Sequence, residues 1–339
     1  MIEKIPFIIA EMSGNHNQSL GRALAIVDAA ADAGVDAVKI QTYTADTMTI
    51  DIDTGEFFIS DKDSLWKGET LYHLYEKAHT PWEWHKAIFE RCKERGVMGF
   101  STPFDDTSVD FLEDLGVPCY KIASFENVDL PLIRKVARTG KPIIASTGMT
   151  TVAELSDLVQ TVRENGCTDL TLLKCTSSYP ASPEGTNLRT IPHMRELFGC
   201  AVGLSDHTLG IGAAVASVAL GAAVIEKHFT LSRAEGGVDA AFSLEPAEMA
   251  QLVRECRTAA LALGTVSYER AEQEQKSLQF RRSLYVVEDM KAGDVFTEKN
   301  LRRIRPGMGL SPKYYDIILG KKANCNITRG TAVQWDLIE

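Results

Sequence analysis

Titratable residues stand at the ends of apolar segments in this sequence, where a buried β-strand is expected to stay apolar. The stretch AAVIEKHFT, residues 222–230, begins as an apolar strand and ends in Glu226, Lys227 and His228. One charged strand end is commonly solvated surface, but the pattern repeats on seven of the eight strands that the sequence predicts. The polar residues near these ends are Glu11; Lys39 and Gln41; Lys121 and Ser124; Ser146; Lys174 and Thr176; Ser205 and His207; Glu226 and His228. Because side chains two residues apart share one face of a strand, this repetition predicts a catalytic mouth.

The chemistry predicted for two of these residues is metal binding. His207 and His228 end neighbouring predicted strands, so their imidazoles are expected to converge on one divalent ion. Two imidazoles with oxygen donors and open positions suit Mn²⁺, Co²⁺ or Zn²⁺ acting as a Lewis acid. On the residues alone, a pair of hydrogen-bonded histidines is an equal alternative.

Two lysines at the same mouth predict an anion site. Lys39 and Lys121 bring local positive charge to a chain whose net charge is −10. Together with the serines at neighbouring strand ends they would bind a phosphate through charge-assisted hydrogen bonds. The alternative is a Schiff-base aldolase in which Lys121 or Lys174 is the nucleophile.

Other residues that carry chemistry receive a structural interpretation. Cys175 is predicted to be a strand-core thiol, and turn chemistry or substrate contact is equally compatible with His16 and Asn17. Packing or lid roles are predicted for Trp66, Trp82 and Trp84.

Eight strand–helix units position these residues. The predicted strands cover residues 7–11, 37–41, 98–104, 119–125, 142–148, 170–176, 201–207 and 224–230. Amphipathic helices lie between them, with Ser19 as an N-cap, Gly34 as a stop and a capping box from Thr150 or Thr151 to Glu154. The count and length predict a (β/α)₈ TIM barrel over residues 1–264, followed by a linker at 265–280 and a small β-rich domain at 281–339. An open doubly wound sheet is the alternative, but no glycine-rich dinucleotide fingerprint follows the first strand.

Composition limits the classes of function. The charge of −10 argues against nucleic-acid binding and against binding to anionic membranes, both of which need a basic face. Seven cysteines without a CxxC pair indicate reduced thiols in the cytoplasm. No apolar segment has the length of a signal core or of a membrane span, so we expect a soluble protein with small-molecule substrates.

The motifs resemble those of a known family, the sialic acid synthases, which condense phosphoenolpyruvate (PEP) with an amino-sugar aldehyde. The similar segments, in chain order, are AEMSGNHNQSL, VKIQTY, FSTPFD, YKIASFEN, STGMT, CTSSYP, GLSDHT and EKHFT. The C-terminal segment, which begins FRRSLYVVEDMKAGDVFTEKNL, is similar to the antifreeze-like SAF domain of that family. The resemblance covers nearly the whole chain and implies a divalent metal, Mn²⁺ first, with Mg²⁺ or Co²⁺ as alternatives.

The resemblance also implies roles for individual residues. Catalysis is implied for Glu11, Lys39 and Lys121, and metal binding for His207 and His228. PEP contacts are implied for Lys39, Thr102, Lys121, Ser124, Ser146, Ser177 and Ser205. Sugar contacts are implied for Gln41, Tyr179, Asp239, Phe280 and Arg305. Arg305 would reach the barrel mouth of a second subunit, which implies a domain-swapped homodimer.

Within the family, the insertion DSLWKGETLYHLYEKAHTPWEWH is similar to that of the pseudaminic acid synthase subgroup. The acceptor of that subgroup is 2,4-diacetamido-2,4,6-trideoxy-L-altrose, which lacks a 6-hydroxyl. Ser177 stands where the sialic acid enzymes carry an asparagine, which disfavours N-acetylmannosamine. The alternatives are an N-acetylneuraminate or legionaminate synthase, a pyruvate aldolase, or a sugar-binding protein without turnover.

Overall fold

The computed structural model describes residues 5–61 and 65–339 and divides into two compact units, Met1–Gly264 and Thr265–Glu339. The first unit is a closed barrel of eight parallel strands in chain order, which confirms the predicted fold and excludes the open sheet. Strand β1 closes the barrel by pairing with both β2 and β8. The strands are β1 Phe7–Glu11, β2 Ala37–Thr42, β3 Met98–Pro103, β4 Tyr120–Ile122, β5 Ile143–Ser146, β6 Leu170–Cys175, β7 Ala201–Asp206 and β8 Val224–His228.

Helices cover the outside of the barrel. They are α1 Leu20–Ala33, α2 Ala45–Met48, α3 Leu71–Ala78, α4 His85–Glu94, α5 Asp106–Asp114, α6 Leu130–Ala137, α7 Val152–Glu164, α8 Thr190–Phe198, α9 Gly212–Ala219 and α10 Pro246–Leu263. The Ser19 side chain caps α1 by accepting from the Arg22 N–H, and a capping box joins Thr151 to Glu154 at the start of α7. No helix of the described residues is long and apolar enough to cross a membrane.

The side chains that fill the barrel fix which residues reach its mouth. One apolar layer inside the barrel consists of Ile9, Ala37, Phe100, Cys119, Ile144, Leu173 and Val224. Because side chains alternate along a strand, the residues two positions further on also point inward. Those residues are Glu11, Lys39, Thr102, Lys121, Ser146, Cys175 and Glu226. Inside the barrel, an almost entirely polar layer of side chains therefore lies next to the apolar layer, on the side of the carboxyl ends of the strands.

The fourth strand is shorter than predicted, because the chain leaves the ladder after Ile122. Side-chain hydrogen bonds replace the ladder there. The Ser124 hydroxyl accepts from the Gly148 N–H at 3.1 Å, and the Asn127 amide donates to the carbonyl oxygens of Ser146 and Gly148, each at 3.2 Å. The loops after β4 and β5 are therefore joined at the barrel mouth.

Two further segments differ from regular βα connections. The insertion between β2 and β3 holds α2, α3 and an isolated bridge between Phe58 and Thr70, and its residues 62–64 lie outside the described part of the chain. The second unit contains an antiparallel pair, β9 Ser283–Val286 and β10 Leu301–Ile304, and the helix α11 Tyr315–Ile318 around its own apolar core. Upstream of that pair, residues 272–280 form a 3₁₀ stretch in the segment predicted to be a linker.

Candidate active site

Four charged side chains form a buried network at the mouth of the barrel. Glu11 and Lys39 are Cα partners on β1 and β2 and form an ion pair. The second carboxylate, Glu226 on β8, lies 3.7 Å from the Lys39 ammonium and 3.6 Å from that of Lys121. All four residues are at most 5% exposed. Two ammonium groups and two carboxylates therefore share one water-poor space, in which charges interact strongly.

Burial and pairing shift the ionisation of these groups. Burial raises the pKa of Glu11 to about 7, although the Lys39 ammonium opposes this shift. Burial also disfavours the Glu226 carboxylate, but Lys121 and Lys39 outweigh it and hold its pKa below the usual range. Burial lowers the pKa of Lys121, although Glu226 opposes this shift. Near neutral pH Glu11 is therefore partly protonated, while Glu226 keeps its negative charge beside the two lysines.

Hydroxyl groups surround the two lysines. Lys39 donates to the Thr102 hydroxyl at 3.2 Å, and Lys121 donates to the Ser146 hydroxyl at 2.7 Å. Ser205 donates to Glu226 at 3.0 Å. These two lysines and three hydroxyl residues lie on five different strands, and all of them face the barrel axis. The arrangement is suited to an anion with several oxygen atoms.

The hydroxyl groups of Ser124 and Ser177 both lie close to the main chain at Gly148. A Cβ atom built on Gly148 would lie 2.1 Å from the Ser177 hydroxyl and 2.7 Å from the Ser124 hydroxyl. The two serines, from the loops after β6 and β4, therefore approach the main chain at Gly148 more closely than any side chain at that position would allow. This close approach extends the ring of hydroxyls around the lysines.

The two predicted metal ligands face each other at the same mouth. The ring centroids of His207 and His228 lie 5.3 Å apart with an interplanar angle of 54°. The Nδ1 of His207 lies 3.0 Å from the Thr176 carbonyl oxygen, which only accepts, so in the neutral ring this nitrogen carries the proton and Nε2 keeps its lone pair. The Nδ1 of His228 is buried without a hydrogen-bond partner. Two imidazoles with available lone pairs fit a divalent ion.

The ionisation of His228 also fits metal binding. Its side chain is half-buried, and desolvation lowers its pKa well below the usual range, as do the neighbouring His207 and the lysines. Neutral imidazole is the form that binds a metal ion. Among the described residues, no cluster of three or more His, Cys, Asp or Glu side chains is arranged to hold a metal.

A cavity of about 480 Å³ opens above the polar network and contains the predicted sugar contacts. Gln41, Tyr179 and Asp239 line it, and Gln41 donates to Glu11 at 3.2 Å. Asp239 accepts from the Ser13 hydroxyl, and burial raises its pKa. The Tyr179 ring lies 4.4 Å from the ring of His207. The sugar contacts predicted in the first unit thus border the histidine pair.

One wall of this cavity is apolar. It is formed by the insertion between β2 and β3 together with the loops after β3, β4 and β8, and its side chains are Met48, Ile59, Leu71, Leu74, Phe104, Phe125 and Val238. Trp66, predicted to pack or to serve in a lid, lines the same cavity. A ligand in this space would meet polar groups on the barrel side and methyl or methylene groups on the insertion side.

The remaining two predicted sugar contacts belong to the second unit. Phe280 ends the 3₁₀ stretch of the second unit, and Arg305 follows β10; both side chains are exposed.

His16 and Asn17 form hydrogen bonds of the turn kind, which is one of the two roles that the sequence leaves open for them. The Nδ1 of His16 accepts from the Gln18 N–H at 3.2 Å, and the Asn17 amide donates to the Gly236 carbonyl oxygen at 3.2 Å.

The prediction for β6 was wrong by one residue. Lys174 was assigned to the polar ring and considered as a Schiff-base nucleophile, but Leu173 points inward, so Lys174 points outward. There it donates to the Cys175 carbonyl oxygen at 2.8 Å. Cys175, predicted to be a strand-core thiol, faces the mouth instead, with its sulfur 3.9 Å from the Nδ1 of His207. Burial disfavours the thiolate, but His207 outweighs it and lowers the pKa of Cys175 to about 7.

Glu126 is a second residue that sequence reasoning missed. It lines the cavity, and its Oε2 is buried without a hydrogen-bond partner. Burial raises its pKa to about 7, although Lys121 opposes this shift. Glu126 lies two positions beyond Ser124 in the segment YKIASFEN, one of the motifs that resemble the family. Its position in that motif is the feature of the sequence that could have indicated a role at the site.

Comparisons with known proteins give one consistent result. Residues 26–268 match the NeuB family and residues 281–339 match the SAF domain. The chain is 45% identical to a pseudaminic acid synthase of Campylobacter jejuni (strain 81-176), over 98% of this chain and 96% of that protein. It is 43% identical to a pseudaminic acid synthase of Helicobacter pylori, over 98% of each chain. The crystal structure of an N-acetylneuraminic acid synthetase from Leptospira borgpetersenii superimposes with a TM-score of 0.71 at 32% identity, covering 82% of this chain and 92% of that one.

Proposed function

The chain belongs to the NeuB family, as its motifs predicted, and from that premise we propose that this enzyme, a transferase, is a pseudaminic acid synthase. It would condense PEP with 2,4-diacetamido-2,4,6-trideoxy-L-altrose to give pseudaminic acid and phosphate. The observation that carries the proposal is a sequence identity of 43–45%, over nearly the full length, to proteins named pseudaminic acid synthase. The mouth of the barrel supports it, because the residues there suit each part of the reaction.

The polar network suits the anionic reactant. PEP carries up to three negative charges, and the chain as a whole is acidic, so the charge must be balanced locally. Lys39 and Lys121 would bind the phosphate and carboxylate groups, and Thr102, Ser124, Ser146, Ser177 and Ser205 would donate hydrogen bonds to their oxygen atoms. These donors are held on different strands and strand-end loops, so the anion would be bound in one orientation, with its carbon 3 towards the sugar cavity.

His207 and His228 would hold a divalent ion, with Mn²⁺ expected first and Mg²⁺ or Co²⁺ as alternatives. When bound, the ion supplies Lewis-acid polarisation of the acceptor aldehyde. His207 is prepared for this role by its hydrogen bond to the Thr176 carbonyl oxygen, which fixes the ring and its tautomer. His228 lines the same cavity, and because its Nδ1 is buried, Nε2 would be the nitrogen that meets the ion.

Bond formation then joins carbon 3 of PEP to the aldehyde carbon, and the aldehyde oxygen would become a hydroxyl by taking the proton that Glu11 holds in the PEP complex. Carbon 2 gains the character of an oxocarbenium ion, and Glu11 lies beside it. Its carboxylate would stabilise that cation or accept a proton from the water that adds at carbon 2. The adduct collapses to a ketone, and phosphate leaves together with the bridging oxygen. A pKa of about 7 suits a group that must accept and return a proton near neutral pH.

The apolar wall supports the less polar acceptor. The proposed sugar carries a methyl group where N-acetylmannosamine carries a hydroxymethyl group, and it has a second acetamido methyl. Met48, Ile59, Leu71 and Leu74 offer these groups an apolar surface. A cavity of about 480 Å³ is within the size range of small-molecule sites.

Replacing Leu71 tests this preference. Leu71→Asn puts an amide on the apolar wall at nearly constant size, and Leu71→Met is the apolar control. One methyl contact is worth about 1–3 kcal/mol, so the kcat/KM ratio of the trideoxy sugar to N-acetylmannosamine should fall at least about tenfold in Leu71→Asn and stay near the parent value in Leu71→Met. Equal ratios in all three enzymes would remove this wall from acceptor selection.

The second unit supplies two further proposed contacts. Phe280 and Arg305 are exposed, and we place them over the barrel of the other subunit in a domain-swapped homodimer. A mixture of Lys39→Ala and Arg305→Ala subunits tests this, because a mixed dimer would contain one intact site. Activity regained on mixing supports the exchange of domains; inactive mixed dimers contradict it.

All seven cysteines are free, which supports a cytoplasmic location.

A turnover assay tests the function. The enzyme is incubated with PEP, Mn²⁺ and each of three acceptors: the trideoxy-L-altrose sugar, its legionaminate counterpart and N-acetylmannosamine. The proposal predicts that phosphate release is fastest with the first. Faster release with either of the others would identify the corresponding sister enzyme. Consumption of pyruvate instead of PEP would indicate an aldolase, and no turnover with any acceptor would favour a binding protein.

A further inference from the structure

A buried ion pair lies directly behind the two histidines. Asp206 and Lys227 are Cα partners on β7 and β8, and each immediately precedes one histidine, His207 or His228. Their side chains are 0% and 1% exposed, and the Lys227 ammonium lies 2.8 Å from the Asp206 carboxylate. Because side chains alternate along a strand, the pair faces the helical layer while the histidines face the mouth.

The pair holds the turn that carries His207. Asp206 accepts from the Thr208 N–H at 2.9 Å and from the Thr208 hydroxyl at 2.8 Å. Lys227 donates to the Thr208 carbonyl oxygen at 2.5 Å and lies 3.5 Å from the Asp206 carbonyl oxygen. The residues on both sides of His207 are thus tied to the residue before His228.

His228 has the greater need of such an anchor. Metal-binding histidines are usually oriented by a hydrogen bond to the ring nitrogen that does not bind the metal. His207 makes such a bond to Thr176, but the Nδ1 of His228 has no partner. The backbone of β8 therefore decides where the His228 ring lies, and Lys227 fixes that backbone to β7.

Stability alone does not explain a buried pair of charges. Desolvation offsets most of the attraction, so an apolar pair of similar size is often equally stable or more stable. What such an apolar pair does not provide is directional contact with the backbone at Thr208. The pair is therefore better suited to fixing geometry than to stabilising the fold.

We propose that Asp206 and Lys227 are positioning residues that set the separation and orientation of the His207 and His228 imidazoles for divalent-ion binding. This inference rests on the proposed metal site. Loss of supporting contacts around metal ligands typically weakens metal binding about 10- to 100-fold. Replacing the pair should therefore weaken ion binding without a matching loss of stability.

The experiment measures Mn²⁺ binding to the full-length protein without substrates, by isothermal titration calorimetry, together with Tm. The variant Asp206→Leu with Lys227→Met replaces the charges by apolar groups of similar size. The matched control is Asp110→Leu with Lys135→Met, an ion pair of the same 2.8 Å length on the outer surface. The expected result is a Kd for Mn²⁺ weakened at least about tenfold in the first variant and unchanged in the control, with the Tm of the first variant at or above that of the parent.

Three outcomes would overturn the inference. A folded Asp206→Leu, Lys227→Met protein that binds Mn²⁺ within twofold of the parent shows that the pair does not position the histidines. Absence of Mn²⁺ binding by the parent itself removes the proposed metal site and the inference with it. Should the double variant not fold, Thr208→Val replaces it, because this change deletes only the hydroxyl that contacts Asp206. A Kd weakened threefold or more in Thr208→Val supports the inference, and an unchanged Kd contradicts it.

Discussion

Gly148→Ala tests whether the phosphate side of the mouth depends on a close approach that only glycine permits. The added Cβ would lie 2.1 Å from the Ser177 hydroxyl and 2.7 Å from the Ser124 hydroxyl. Both distances are far below the roughly 3.5 Å at which non-bonded atoms attract each other. At least one serine must therefore rotate or move away from the position in which it would bind PEP.

The cost follows from the lost hydrogen bonds. A hydrogen bond to a charged group is worth about 1.5–3 kcal/mol, and every 1.4 kcal/mol changes an equilibrium about tenfold. Displacing one serine should therefore raise the KM for PEP about 10- to 100-fold. Gly148 forms hydrogen bonds with Ser124, Asn127 and Thr150 and not with the histidine pair or Glu11, so kcat should fall much less.

Steady-state kinetics with PEP as the varied substrate gives the measurement. Gly212→Ala is the matched control, because a Cβ at Gly212 meets no atom within 4 Å. The double variant Gly148→Ala with Ser177→Ala probes the cause, because it removes the hydroxyl at 2.1 Å. If the collision with Ser177 is responsible, the two changes are strongly non-additive, and the double variant binds PEP as well as Ser177→Ala alone.

A folded Gly148→Ala enzyme with the parent's KM for PEP would refute this reasoning, since the serines would then have no part in binding the anion. Strictly additive losses in the double variant would place the cause at Ser124 or elsewhere in the loop after β5.

Three further predictions concern the charged groups. His207→Ala should fold with nearly the parent Tm but lose metal-dependent turnover; unchanged activity after metal stripping and mutation would defeat the metal assignment. PEP binding near pH 7 should take up protons, because an incoming anion raises the pKa of Glu11 further above its value of about 7 and so favours the protonated form. Titration calorimetry in buffers of different ionisation enthalpy measures this uptake, which Glu11→Gln should abolish; equal uptake in that variant would assign the proton to another group. Borohydride with pyruvate should leave Lys121 unmodified, since its ammonium donates to Ser146 at 2.7 Å and lies 3.6 Å from Glu226; a trapped adduct would favour the aldolase.

Much of the architecture could be predicted from local patterns. Strand and helix periods repeat eight times, and caps such as Ser19 and Thr151 mark helix starts through their own side-chain hydrogen bonds. The polar residues of the mouth could also be predicted, because most follow an inward apolar residue by two positions. Ile9 precedes Glu11, and Ala37 precedes Lys39.

The errors arose where the sequence alone does not reveal which face of a strand points inward. On β6, Leu172 and Leu173 are both fully buried, one against the helices and the other inside the barrel. Apolar character therefore did not show whether Lys174 or Cys175 belongs to the mouth. Asp206 and Lys227 received no role from the sequence, because they alternate with the mouth residues of β7 and β8 and face the helical layer. The early end of β4 depends on hydrogen bonds between distant loops, which no local pattern encodes.

The central claim is that this mouth joins PEP to the amino-sugar aldehyde and breaks the carbon–oxygen bond to phosphate. The most direct measurement supplies PEP labelled with ¹⁸O in the bridging position, together with Mn²⁺ and 2,4-diacetamido-2,4,6-trideoxy-L-altrose, and analyses both products by mass spectrometry. The account predicts unlabelled pseudaminic acid and one ¹⁸O in each released phosphate. Label retained in the sugar acid, or PEP left unconsumed, would contradict it.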